Sequence, residues 1–305
     1  MYDLLILGGG PAGVAAGVYA ARKKIKAVLV TDGFGGQSLV SAEIQNWIGI
    51  KSTSGYELAK KMEEHLRSQE MEVIDNERGE KLEKIDEGFR ITTGKGKALE
   101  TKTLLIATGS RRRKLGIPGE IEFEGRGVAY CSTCDAPIFK GRVAAVIGSG
   151  NAGLEAVIDL LPYAKEIYLF DHGSSLRGDL VTQERIKKEP RVKIFLESEP
   201  KEILGNKMVA GLRYFDKSKT EKELKLDGVF VEIGSMPNTE IVKDFVKLNV
   251  SGEIAIDHKT QQTSQPGIWA AGDATDVLYK QNNISMGDAI KAVLNINEYL
   301  HKNAN

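Results

Sequence analysis

One pattern occurs twice in this sequence of 305 residues: an apolar run of strand length, a Gly-x-Gly-x-x-Gly turn, and a segment with helical periodicity. The first copy comprises the run 3–7 and the turn Gly8–Gly13, and Pro11 suits the first turn of the following helix. The second comprises 143–147 and Gly148–Gly153. In such turns the first glycine permits the bend, the second lets backbone approach a pyrophosphate, and the third allows close helix packing. One copy is weak evidence, whereas two predict a duplicated dinucleotide-binding unit of the α/β class.

The two halves also end alike, because 103–110 and 228–235 are both an apolar strand followed by x-x-Gly-Ser. Each half is expected to hold a short meander, with strands around 73–74, 89–93 and 104–107, and around 193–196, 209–215 and 229–233. The remaining expected elements are a helix at 57–68, strands at 253–257 and 267–271, and a helix from 285 to about 300.

An acidic residue is expected about 20 positions after each turn, at the end of the next strand, where it takes the ribose hydroxyls. Asp32 and Asp171 stand at these places. A carboxylate at 171 accepts hydrogen bonds from a free 2′-hydroxyl but repels a 2′-phosphate, so NADH is favoured over NADPH. His172 and Arg177 are the nearby cationic residues and leave NADPH as the less favoured coenzyme. The alternative is that Asp171 only caps the following turn.

The sequence contains two cysteines, Cys131 and Cys134, in the spacing Cys-x-x-Cys. Four scattered histidines make a zinc site a poor interpretation, so no metal is expected. A redox dithiol is favoured over a passive surface disulfide, because a four-residue loop stabilises little. Asp135 follows directly and could exchange a proton with the departing thiolate or only cap a helix. Two dinucleotide sites and one dithiol together predict electrons passing from nicotinamide to flavin to disulfide.

The charge balance, 42 basic against 42 acidic side chains, gives no footprint for nucleic acid or an anionic membrane. The run 111–114 is too short to change this. No apolar stretch reaches the roughly 20 residues that a membrane helix requires. The sequence starts Met-Tyr-Asp without a basic leader segment, so we expect a cytoplasmic protein.

Six motifs stand in the order found in low-molecular-weight thioredoxin reductases, and the sequence resembles that family over essentially its whole length. They are Gly8–Gly13, Gly35-Gly36-Gln37, Ala107-Thr108-Gly109, Cys131–Asp135, Gly148–Gly153 and Ala271-Gly272-Asp273. Within the family it is most similar to the reductase portion of the alkyl hydroperoxide reductase flavoprotein. The segments that carry this closer resemblance are 34–37, 44–47, 137–140, 150–151 and 279–281.

The resemblance implies a discontinuous FAD domain, 1–112 and 237–305, into which an NAD(P)H domain, 113–236, is inserted with the dithiol. Both domains would be three-layer Rossmann-like folds. The implied FAD contacts are Gly8, Gly10, Pro11, Ala12, Gly13, Asp32, Gly36, Gln37, Asn46, Thr108, Gly109, Gly272, Asp273 and Gln281. The implied nicotinamide-coenzyme contacts are Gly148, Gly150, Asn151, Ala152 and Asp171. By the same resemblance Cys134 exchanges electrons with the flavin, Cys131 attacks the partner's disulfide, and Asp135 is the acid/base.

One segment departs from the pattern of the NADPH-using members: their His-Arg-Arg with a downstream Arg is replaced here by Asp171–Arg177. This replacement strengthens the prediction that NADH, not NADPH, is the coenzyme. The double-thioredoxin extension of the peroxide-reducing flavoprotein is absent from the sequence, so we expect the relay on a separate thioredoxin-, glutaredoxin- or peroxiredoxin-system protein. The resemblance also implies a homodimer.

Dithiol and nicotinamide must meet the same flavin, so we expect two domain orientations, with hinges near 112–118 and 234–240. Two other functions stay open at the level of sequence. One is a flavin NADH oxidase, or a reductase of a small-molecule dithiol. The other is a nucleotide-binding redox sensor.

Overall fold

The computed structural model describes residues 1–41 and 44–302. Its helices are α1 (Pro11–Arg22), α2 (Gly55–Arg67), α3 (Ser132–Asp135), α4 (Asn151–Leu160), α5 (Leu180–Lys187) and α6 (Asn282–Lys302). Strands of the first half are β1 (Tyr2–Gly9), β2 (Ala27–Phe34), β3 (Glu72–Ile74), β4 (Gly79–Ile85), β5 (Gly88–Thr93), β6 (Ala98–Ile106) and β7 (Ser110–Arg112). Later strands are β8 (Val128–Ala129), β9 (Val143–Ile147), β10 (Glu166–Phe170), β11 (Val192–Phe195), β12 (Glu199–Gly205), β13 (Val209–Phe215), β14 (Glu221–Lys225), β15 (Gly228–Val231), β16 (Ser235–Pro237) and β17 (Ile268–Ala270).

The first glycine turn lies at the centre of a seven-stranded sheet, ordered β3-β2-β1-β6-β5-β4. β1 is parallel to both β2 and β6, and the C-terminal end of β6 also pairs in parallel with β17. Leu4, Leu5 and Ile6 are completely buried, because helices cover one face of the sheet and the segment 241–254 packs on the other. Helix α1 is buried almost all round and packs on α6.

The second glycine turn lies in a parallel five-stranded sheet, ordered β11-β10-β9-β15-β8. A separate antiparallel sheet, β12-β13-β14, packs beside it through Leu212 and Tyr214. The parallel strands of each main sheet form a Rossmann-like unit with their glycine turn and helix, whereas β4, β5 and β6 of the first sheet pair antiparallel. This confirms the predicted α/β class. Between the two units run β7 and β16, which pair antiparallel. The predicted domain boundaries, after 112 and after 236, coincide with these two strands, and the domain division stays a prediction.

Several predicted elements are confirmed with shifted bounds, and the composition of both meanders was wrong. β3 and β11, assigned to the meanders by sequence, are outer parallel strands of the two main sheets. The meanders instead contain β4, β12 and β14, whose exposed charged residues hide the apolar alternation of a strand. The stretch 253–257 makes only isolated bridges, such as Ile254 with Leu248 and Thr275, rather than a strand.

Helix α2 shows how local sequence sets an element. Ser54 and Glu57 form a capping box at its start, each side chain hydrogen-bonded to the backbone of the other residue. Leu58, Met62 and Leu66 point into the core at spacing four. Within the ranges 1–41 and 44–302, no helix has the length and apolarity needed to cross a membrane.

Candidate active site

The three glycines of the first turn perform the tasks expected of them. A Cβ at Gly8 (φ +113°) would lie 2.3 Å from the carbonyl oxygen of Ala107, and one at Gly13 only 1.8 Å from that of Gly8. Strand, turn and helix therefore approach closer than any side chain would allow. Gly10 is different, because the nearest atom to its Cβ position, Cα of Gly36, is 3.9 Å away. Its open face leaves the amides at the start of α1 free for a phosphate group.

A cavity of about 630 Å³ opens from this turn between β1, β2 and the ends of β6 and β17. Its size is that of a cofactor pocket. The predicted flavin contacts on its wall are Gly8, Gly10, Pro11, Ala12, Asp32, Gly36, Gln37, Thr108, Gly109, Gly272 and Asp273. Gly13 acts through packing instead. The residues present thus fit an adenine dinucleotide that runs along the turn.

The sequence analysis missed several polar side chains of this cavity. Arg78 donates a hydrogen bond from Nε to Oδ2 of Asp32 at 2.6 Å, so the expected ribose ligand is paired with a cation. The hydroxyl of Thr108 donates a hydrogen bond to the carbonyl oxygen of Asn238 at 2.6 Å, and the side-chain amide of Asn238 donates to the carbonyl oxygen of Thr108 at 2.9 Å. Arg111 donates to Oδ1 of Asn238 at 2.6 Å and to Glu240 at 2.8 Å. The basic run 111–114 was the only sign of these contacts in the sequence, but the partners of Arg111, Asn238 and Glu240, lie more than 120 residues away.

At one end of this cavity, a smaller one of about 50 Å³ contains both cysteines. This small cavity is also lined by Gln37, Asn46 and Gln281, three of the FAD contacts that the resemblance implies. The amide of Asn46 donates to Oε1 of Gln281 at 3.3 Å. Asp273 belongs to the walls of both cavities. Its carboxyl is buried, which raises its pKa, and it accepts a hydrogen bond from Ser285 at 3.3 Å.

Cys131 and Cys134 form a disulfide with their Cα atoms 5.4 Å apart. Cys131 precedes α3, and its carbonyl accepts the amide hydrogen of Asp135 at 3.0 Å. The side chain of Asp135 is buried, and burial raises its pKa to about 7. A carboxyl with this pKa can hold or release a proton near neutral pH, as acid/base chemistry at a disulfide requires.

The second glycine turn repeats the geometry of the first. Cβ atoms at Gly148 and Gly153 would lie 2.4 Å from the carbonyl oxygen of Glu232 and 1.8 Å from that of Gly148. Nothing lies within 4 Å of the Cβ position of Gly150, next to the predicted contacts Asn151 and Ala152. Among the described residues, those of this turn line neither of the two cavities. In this arrangement the dithiol, not the second turn, lies beside the predicted FAD contacts Gln37, Asn46 and Gln281.

Asp171 is fully buried at the end of β10 and already has several donors. Oδ1 accepts from the amide of Gly173 at 2.8 Å, and Oδ2 from the amide of Ser149 at 2.9 Å and from Arg177 at 3.0 Å. Although burial raises its pKa, these hydrogen bonds outweigh that effect and hold the pKa below its usual range. Asp171 therefore caps the following turn and is hydrogen-bonded to Arg177, and its contact with the ribose stays a prediction.

Two dinucleotide-type turns on two Rossmann-like sheets, with a disulfide in the small cavity that adjoins the first turn's cavity, define a two-site disulfide oxidoreductase. A family model described as pyridine nucleotide-disulphide oxidoreductase matches residues 2–292. The chain belongs to that family, which implies flavin and nicotinamide cofactors.

Comparison with known proteins confirms the predicted resemblance. The chain is 45% identical over 297 residues to the F subunit of alkyl hydroperoxide reductase from Pseudomonas putida, covering 96% of this chain and 57% of the relative. The chain thus spans less than two thirds of the length of such relatives. The thioredoxin reductase of Streptococcus pyogenes MGAS5005 superposes with a TM-score of 0.91 at 34% identity, covering 99% of both chains. The thioredoxin reductase of Lactococcus lactis in its FR conformation superposes with a TM-score of 0.70 at 32% identity, covering 99% of this chain and 100% of that structure.

Proposed function

We propose that the chain uses FAD and the Cys131–Cys134 dithiol to pass electrons from NADH to the disulfide of a thioredoxin-, glutaredoxin- or peroxiredoxin-system protein. The observation that carries this proposal is the cavity shared by both cysteines with Gln37, Asn46 and Gln281. A bound flavin would there accept reducing equivalents from the nicotinamide and deliver them to the disulfide. We further propose that the protein is cytoplasmic and forms a homodimer. Size-exclusion chromatography with light scattering tests the dimer.

In this proposal the sheet containing β1 holds FAD and the sheet containing β9 holds the nicotinamide coenzyme, with boundaries after 112 and 236. The large cavity supports the first assignment, and the second glycine turn supports the other. Cys134 exchanges electrons on the flavin side and Cys131 attacks the partner. Asp135 supplies a proton to the departing thiolate, which its burial and its pKa near 7 favour.

NADH is the proposed coenzyme because the carboxylate of Asp171 stands where a 2′-phosphate would otherwise lie. Arg177 must move aside for the ribose to reach that carboxylate, and its side chain is about half exposed, so it is free to do so.

We also propose that the two units rotate relative to each other during turnover, since the second turn lies outside the cavity that the dithiol occupies. Two thioredoxin reductases of nearly equal identity and coverage superpose with TM-scores of 0.91 and 0.70. Because identity and coverage are nearly equal, that gap supports a different arrangement of the two units in the second structure. If a crosslink between the units left NADH-to-partner turnover intact, the rotation would be wrong.

The decisive experiment is an anaerobic titration of the yellow protein with NADH and NADPH in parallel, followed by addition of thioredoxin-fold disulfides. We expect NADH to bleach the flavin and the disulfide substrate to restore its colour. In the double variant Cys131→Ser/Cys134→Ser, NADH should still bleach the flavin while partner reduction is lost. Retention of all turnover with oxygen would establish an oxidase instead, and very slow bleaching by either coenzyme would establish a sensor.

A further inference from the structure

Glu232 directly follows β15 and belongs neither to a glycine turn nor to the predicted redox residues. Its side chain is buried, with 8% of the residue exposed, and the backbone amide of Ser132 interacts with its carboxyl group. That amide belongs to the peptide bond between Cys131 and Ser132. The parallel register of β15 and β8, in which Phe230 lies beside Ala129, brings Glu232 to the level of Cys131. A carboxyl group thus lies one peptide unit from the cysteine that begins the dithiol turn.

A second carboxyl group approaches the same turn from helix α4. Asp159 accepts hydrogen bonds from the hydroxyls of Ser132, at 2.9 Å, and Thr133, at 3.4 Å. Glu155, one helical turn earlier on α4, adds to the negative field at Glu232, and Arg112 from β7 opposes it. Arg112 also lines the small cavity with both cysteines. The charged groups facing Glu232 are therefore two acids from α4 and one cation from β7.

Amides at the start of a helical turn ordinarily stabilise a cysteine thiolate. Here the carboxyl of Glu232 already interacts with the Ser132 amide, and its negative charge disfavours a second anion beside it. We propose that Glu232 keeps the reduced Cys131–Cys134 pair protonated, acting as a positioning residue that restrains its reactivity. The proposal rests on the proposed function only in requiring that the dithiol is reduced during turnover.

The pH range of this effect follows from the environment of Glu232. Burial raises its pKa to about 7, and Arg112 partly offsets that rise. Above this value the carboxyl is anionic, and an unperturbed thiol ionises near 8.5. When the thiols ionise, the neighbouring carboxyl of Glu232 is therefore already negatively charged.

The test is the pH profile of alkylation. Purified FAD-loaded protein is reduced anaerobically, freed of reductant and treated with iodoacetamide between pH 5.5 and 9.5, and peptide mass spectrometry identifies the modified cysteine. In Glu232→Gln we expect the midpoint of the faster thiol to fall by about one pH unit, because a like charge has been removed. Alkylation at pH 7 should rise by less than about twofold, because Glu232 is only about half ionised there and the added thiolate is intrinsically less nucleophilic.

Glu155→Gln is the matched control, since it removes the same charge from the same field without touching Ser132. In Glu155→Gln the pH midpoint of alkylation should move less than half as far as in Glu232→Gln. Equal shifts in the two variants, or an unchanged midpoint in Glu232→Gln, would overturn the proposal. Flavin content and melting temperature check folding, and Glu232→Ala replaces the glutamine variant if that does not fold. The assay uses neither nicotinamide nor partner, so its outcome is independent of the proposed electron route.

Discussion

Ser149 donates both its backbone amide, at 2.9 Å, and its hydroxyl hydrogen to the same oxygen of Asp171, Oδ2. This relationship ties the second glycine turn to the end of the neighbouring strand β10. The carboxylate therefore organises the turn before any coenzyme binds. Its role in the fold and its proposed role at the ribose are carried by the same atoms, so substitution at this position should affect stability as well as coenzyme binding.

Asp171→Asn should destabilise the protein by about 2 kcal/mol at pH 7, because an amide replaces a charged acceptor of several hydrogen bonds. The pKa of Asp171 is lowered in the fold, so its stabilising contribution is complete above the unfolded value near 4. It is lost as the pH falls through the lower folded value. Denaturant unfolding of wild type and variant from pH 7 to pH 3 checks this. A difference that stays constant below pH 4 would contradict it.

Arg177→Ala should alter the choice of coenzyme. The guanidinium lies 3.0 Å from Oδ2 of Asp171 and is the cation best placed to meet a 2′-phosphate. Without it, we expect kcat/KM for NADPH to fall about tenfold or more, while that for NADH changes less than threefold. Steady-state kinetics with both coenzymes at equal ionic strength is the measurement. A parallel loss with both coenzymes would mean that Arg177 serves only the fold.

Asp135 should make the transfer of electrons from flavin to disulfide pH-dependent. Burial raises its pKa to about 7, so the protonated fraction, and with it the rate, should fall as the pH rises through that value. In Asp135→Asn we expect a rate at least about tenfold lower and flat with pH. Stopped-flow recovery of flavin absorbance after stoichiometric reduction measures it. Glu232 titrates in the same range, so Glu232→Gln must retain the fall if Asp135 is its cause.

The sequence predicted both Rossmann-like units because each is announced by contiguous residues: an apolar strand, three glycines and a helix. It also predicted many of the residues that line the large cavity, such as Gly8 and Thr108, since they belong to those short motifs. It missed β4, β12 and β14, because strands of exposed charged residues lack an apolar alternation. It could not find Glu232 or Arg78, whose importance arises from contacts with Ser132 and Asp32 that only the fold brings together.

The linker before the dithiol is clamped by Glu120. Its buried carboxyl accepts the amides of Leu115 at 2.9 Å and Gly116 at 2.7 Å, and the hydroxyl of Tyr130 at 3.0 Å. Residues 115–116 are thereby fixed to the dithiol unit, which narrows the proposed first hinge from 112–118 to 112–114.

Glu120→Ala should destabilise the fold by about 3 kcal/mol, because it leaves buried donors without partners. Tyr130→Phe loses one of the three bonds and should cost about 1 kcal/mol. Chemical unfolding of both variants, with flavin fluorescence and circular dichroism as independent probes, tests the clamp. Equal losses in the two variants would show that the backbone bonds contribute nothing.

Gly150 and Gly153 should separate coenzyme binding from folding. A methyl group at Gly150 meets no atom within 4 Å, whereas one at Gly153 would lie 1.8 Å from the carbonyl oxygen of Gly148. Gly150→Ala should therefore keep a normal melting temperature and flavin content while raising KM for NADH about tenfold, since the methyl occupies the approach of the pyrophosphate. Gly153→Ala must push α4 away from the turn and should lose about 3 kcal/mol of stability. Thermal unfolding combined with NADH kinetics distinguishes the two, and a Gly150→Ala variant with wild-type KM would remove the second turn from the coenzyme site.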